Sequence, residues 1–141
     1  MGQQQQPASP NTNPPTYFSD GPLARFDGIE VDTAGDGLLA TFDSPARAVR
    51  AAQTIRDSLS LLGLEIRAGV HSGEVERRPD GIAGIAVHVG ARVAAAATPR
   101  EILVTSTVKE LVLGSDLRFE DRGLHVLKGV PDQWRLYALV V

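Results

Sequence analysis

Three residues in this chain are of types, and at spacings, that could do chemistry. Asp36 stands between Gly35 and Gly37 in the run GIEVDTAGDGLLATFDSP. A carboxylate on a glycine-flanked turn can present its oxygens to a hard divalent cation such as Mg²⁺, while its small neighbours leave room for a phosphate. The same GDG also suits an ordinary hairpin turn, because glycine accepts positive φ. His88 and Arg92 stand one helical turn apart in GIAVHVGARVAAAAT, so a helix would put them on one face. A hydrogen-bonding imidazole beside a guanidinium suits an anionic ligand, and it equally suits a solvated helix face.

These side chains need elements to hold them. Alternation predicts a hairpin of strands over 29–33 and 38–42 around AGDG. A helix follows, with Ser44 as N-cap, Pro45 in its first turn, a stripe of Val49, Ala52, Ile55, Leu59 and Leu62, and Gly63 as its stop. LEIRAGVHSGEV alternates as a third strand, leaving His71 an ordinary strand residue. After ERRPDGIAG, read as a polar loop, the alanine-rich run predicts a second helix with Val89, Val93 and Ala96 on its inner face, opposite His88 and Arg92. A strand over 102–104 and a short helix opened by a TVKE capping box come next. The last segment alternates twice around a turn at Arg122 and Gly123, with His125 beside it, and finishes on a strand carrying Trp134 and Leu136. The pattern predicts an α+β fold, a mostly antiparallel sheet under two or three helices.

Composition narrows the classes of function. With 141 residues and 43 % hydrophobic content, the chain can build one compact domain. The formal net charge of −3, with signs interspersed, gives no basic stripe for a polynucleotide. The absence of cysteine excludes disulfides and thiolate metal sites. No run approaches the ~18 apolar residues of a membrane span, and the start lacks a signal-peptide pattern. The expectation is a soluble cytoplasmic protein without nucleic-acid or membrane partners. Residues 1–22 are rich in Gln, Asn and Pro and are expected to form a disordered tail, with the domain occupying 23–141.

The blocks GDGLLATFDSPARAV, IRAGVHSGEV, GIAVHVGARVAAAATPREILVT, FEDRGLHVLKGV and WRLYAL together resemble the catalytic domain of class III adenylate and guanylate cyclases of bacterial type. The resemblance implies a ferredoxin-like α+β fold that pairs head to tail, building nucleotide sites between two chains. It implies ATP or GTP as substrate, cyclic nucleotide and pyrophosphate as products, and Mg²⁺ or Mn²⁺ held by two aspartates, of which Asp36 matches the second. Arg92 matches the arginine that stabilises transition-state charge, and Lys128 resembles the lysine that holds the triphosphate. A divalent pair and an arginine are what such phosphoryl chemistry needs.

The chain departs from the family pattern at several positions. Asp32 replaces a purine-reading lysine, and an ionised carboxylate only accepts hydrogen bonds. The base-reading aspartate falls on Gly81, with Asp80 adjacent, and His88 replaces the ribose-orienting asparagine. The family's first strand, with its metal aspartate, and its first two helices have no counterpart before Gly28. Residues 16–20, a second copy or a cyclase-like partner are candidates to cover that gap. The resemblance therefore implies a cyclase homologue, N-terminally truncated, forming a homodimer or a heterodimer with a cyclase-like chain and weakly active or inactive as given. The alternatives are a regulatory module paired with an intact cyclase, and a remnant without selected activity.

Overall fold

The computed structural model describes residues 28–32, 37–79 and 81–140. The expected tail over 1–22, the segment 16–20, Asp36 and Asp80 lie outside the described residues. Strands β1 (Ile29–Asp32) and β2 (Leu39–Thr41) pair antiparallel, with Ile29 opposite Thr41 and Asp32 opposite Leu39. Gly28 opens the hairpin against Phe42, where a Cβ would come within 2.7 Å of the ring Cζ.

Helix α1 (Pro45–Ser60) begins as its sequence dictates, with Ser44 Oγ accepting the Arg47 amide at 3.4 Å and proline in the first turn. Its end is closed by Gly63 at φ +80° and by the Leu64 amide donating to the Leu59 carbonyl. The predicted stripe holds at Val49 and is corrected at its far end. Leu62 falls beyond the last helical residue and is 73 % exposed, whereas Arg56, two turns after the buried Val49, is buried on the same side. Its Nε donates to the Asp57 carboxylate at 3.0 Å.

The central sheet runs β3 (Ala68–Val70), β6 (Ile102–Thr105), β8 (Gln133–Leu139), β7 (Phe119–Val126) in spatial order. β3 and β6 are parallel and the other pairs antiparallel. Strand alternation splits the core between two faces. On one, Val70, Ile102, Val104 and Leu139 pack with Val49 of α1 and with Val108 of α3 (Ser106–Leu111). On the other, Leu103, Leu136 and Ala138 pack with Val89 and Val93 of α2 (Ile85–Ala96). Helices thus cover both faces of the sheet. The mostly antiparallel α+β architecture agrees with the sequence reading.

Three local readings are corrected. The polar loop over 76–84 contains a hairpin, β4 (Glu76–Arg78) with β5 (Gly81–Ala83), because Arg78 and Gly81 pair directly across a two-residue turn. The TVKE box does not open α3, since the helix already begins at Ser106. Its N-cap is Thr105, whose hydroxyl turns to His71 and not to a helix amide. Arg122 and Gly123 form a bulge within one continuous β7, not a turn. There Gly123 takes φ +83° and its amide donates to the Asp121 carboxylate at 2.6 Å. The reversal to β8 comes later, across 127–132.

Candidate functional site

The site is built where α2 meets the turn between β7 and β8. Alanine-rich periodicity makes α2 a helix, and its Val89 and Val93 are buried almost completely. The turn is anchored in the same cluster through Leu127 and Val130, with the Val130 amide donating to the Leu127 carbonyl at 3.0 Å. Between these anchors Lys128 and Gly129 stay exposed, Gly129 at φ +77°. The apolar pattern therefore fixes both ends of a loop whose middle presents a lysine.

His88 joins the two elements. Its Nε2 lies 3.1 Å from the Lys128 carbonyl oxygen. A carbonyl carries no proton, so Nε2–H is the donor. Arg92, one turn further along α2, is half-buried, and no hydrogen bond or ion pair ties its guanidinium among the described residues. The structure thus brings His88 to the Lys128 backbone, with Arg92 one turn further along the same helix.

The two positions that the cyclase resemblance matches to base reading lie on neighbouring elements. Asp32 closes β1 and Gly81 opens β5, and these strands approach each other. Gly81 sits at φ +142°, where an L side chain is strained, so the tight hairpin itself favours glycine there. Among the described residues, no group of three or more histidine, aspartate or glutamate side chains converges as a metal site, and Asp36 lies outside them.

Sequence reasoning missed one connection. His71 Nδ1 is 2.8 Å from the hydroxyl of the fully buried Thr105, and its ring meets Trp134 edge-on at 5.6 Å between centroids. Trp134 packs against the core cluster that holds Leu127 and Val130, and its Nε1–H donates to the Pro131 carbonyl at 3.0 Å. Alternation in the third strand signalled where His71 would point, but not that a parallel neighbour would bring Thr105 to it. His125, by contrast, caps the β7 bulge, with Nε2 3.1 Å from the Arg122 carbonyl.

Burial holds the His71 imidazole below its ordinary value of 6.5. The unfolded chain therefore binds the extra proton first as pH falls. Stability should be fully present above that ordinary value and be lost as pH drops from there through the lower folded value. Urea titrations from pH 8 to 5 should show this decline, and His71→Phe should flatten it; an unchanged slope in the variant would remove His71 as the cause.

Comparison with known proteins bears on the fold. No family model matches the chain. The structure of an adenylate/guanylate cyclase/hydrolase from Silicibacter pomeroyi superposes with a TM-score of 0.78 at 29 % identity, covering 86 % of this chain and 78 % of that one. The catalytic core of a rhodopsin-guanylyl cyclase solved with ATPαS superposes with a TM-score of 0.76 at 20 % identity, over 89 % of this chain and 78 % of that one. A Rhizobium meliloti protein named as a candidate adenylate cyclase is 29 % identical over 105 residues, 68 % of this chain. The chain spans 18 % of that protein's length. The fold is that of the class III adenylate/guanylate cyclase domains, and the chain is an adenylate/guanylate cyclase-like domain. Among the described residues, no helix is long and apolar enough to cross a membrane.

Proposed function

We propose that this domain serves cyclic-nucleotide signalling by binding ATP or GTP against the wall of α2 and the turn over 127–132, converting it slowly to cyclic nucleotide and pyrophosphate. The observation that carries the reading is the His88 contact with the Lys128 carbonyl, which sets Arg92 one helical turn from the point where Lys128 meets α2. Two cations on a packed wall provide donors for a triphosphate and for charge developing during its cleavage. Asp36 is the candidate carboxylate toward Mg²⁺ or Mn²⁺. A second cyclase-like chain, identical or related, would face the wall.

Turnover should be slow and weakly selective for the base. Asp32 and Gly81 stand at the purine-reading positions, and neither supplies a donor side chain there. Purified chain given Mn²⁺ with ATP or GTP should yield both cyclic nucleotides at rates within about tenfold of each other, because the polar contacts that enforce larger discrimination are lost. A second reading, a regulatory module that pairs with an intact cyclase, is supported by Asp32 and Gly81 standing where the family pattern has its base-reading side chains. Product formed only after an intact cyclase homologue is added would select that reading. No product and no nucleotide binding in either arrangement would overturn both.

A further inference from the structure

We propose that His88 is a positioning residue for the turn over 127–130, which it holds through the Lys128 carbonyl so that the lysine side chain starts from a fixed backbone. This rests on the reading of Lys128 and Arg92 as triphosphate-binding residues, but the latch itself is a property of the free chain. Leu127 and Val130 fix the ends of the turn in the core, and apolar packing says nothing about how the peptide between them is rotated. A polar contact at the middle of the turn is what sets that rotation. His88 Nε2 provides it at 3.1 Å, from a helix whose inner face is itself fully packed.

Gly129 supports the same arrangement from the other side. It sits at φ +77°, and a Cβ there would stand 2.9 Å from His88 Nε2. The turn therefore closes onto the imidazole so tightly that glycine serves both the backbone conformation and the space. An imidazole committed to a backbone carbonyl has Nε2 protonated and occupied. Its contribution to ligand binding is thus made through the turn, by fixing the backbone from which the Lys128 side chain extends.

The test uses the isotopically labelled full chain and compares His88→Gln, His88→Asn, His88→Ala and Gly129→Ala. Imidazole ¹⁵N shifts should report the Nε2–H tautomer for His88. Glutamine can carry its amide nitrogen to about the place of Nε2, whereas asparagine is too short. His88→Gln should therefore keep the Lys128 and Gly129 amide shifts, and the other three variants should move them. Titration with ATP in the presence of Mn²⁺ should find His88→Gln within about threefold of the parent and His88→Ala weaker by about fivefold to tenfold, the size of one lost hydrogen bond. An Nδ1–H tautomer, or turn amides that stay put in His88→Ala, would overturn the latch. So would parental ATP affinity in His88→Ala. If the parent itself binds no ATP, the functional reading fails, while tautomer and amide shifts still decide whether His88 holds the turn.

Discussion

Gly69→Ala should lower folding stability by about 3 kcal/mol or more, a large part of the total for a domain of this size. A Cβ on Gly69 would stand 2.8 Å from both the Ala94 Cα and the Gly90 carbonyl oxygen, and closer still to the Ala94 amide nitrogen. All three are backbone atoms of α2, so no rotamer change relieves the clash. The helix would have to lift from β3. Lifting it would loosen Val89 and Val93, the most deeply buried residues of that helix, and would draw His88 away from the Lys128 carbonyl. Gly90→Ala is the matched control. A Cβ at Gly90 meets nothing within 4 Å, and the position is inside a helix, so alanine there should stabilise by roughly 0.5–1 kcal/mol. Urea midpoints measured on both variants should move in opposite directions. A parental midpoint for Gly69→Ala would show that the β3–α2 contact does not govern stability.

That close approach also shows where sequence reading reached and where it stopped. The helical run over 85–96 was legible because alanine propensity and the Val89–Val93 spacing agree, and α1 was legible from Ser44 and Pro45 at its start. Both signals are local. Gly69 looked like one more small residue in an alternating strand, because its meaning lies in a helix about twenty-five residues downstream. The start of α3 was misread for a similar reason. Thr107 and Glu110 have the spacing of a capping box, yet the helix already starts at Ser106 with Thr105 as N-cap, and the parallel pairing of β3 with β6 brings His71 to the Thr105 hydroxyl. The bulge at Arg122 and Gly123 carries the composition of a turn, and only the pairing with β8 that resumes at Leu124 shows that the strand continues.

The candidate site was legible to a different depth. His88 and Arg92 were placed together by helical spacing alone, and the structure keeps them there. Lys128 could not be brought to them by any spacing argument, since the histidine and the carbonyl it holds are forty positions apart, with two strands and a helix between them. Resemblance to cyclases supplied that grouping, and the shared core of Val89, Val93, Leu127 and Val130 gives it a physical cause. The substitution at Gly81 gains a cause as well. A hairpin that pairs Arg78 directly with Gly81 requires the positive φ found there, so an aspartate side chain at this position would conflict with the turn.

Arg92→Ala should reduce the rate of cyclic-nucleotide formation by about two to three orders of magnitude, roughly 3–4 kcal/mol of transition-state stabilisation, under whichever arrangement yields product. The size follows from what the guanidinium is free to do. No hydrogen bond or ion pair among the described residues holds its donors. Its aliphatic stem lies along a half-buried helix face, and alanine is the better helix former, so the melting temperature should change little. Arg92→Lys should recover only a small part of the rate, because an ammonium is a point charge and cannot present two parallel donors to a phosphate. Rate and affinity should separate in the same measurements. His88→Ala loosens the turn and should weaken ATP binding, whereas a contact that strengthens as charge develops should be lost mainly from kcat. A loss in Arg92→Ala confined to KM would assign the guanidinium to ground-state binding of the triphosphate. An unchanged rate would remove Arg92 from the chemistry altogether.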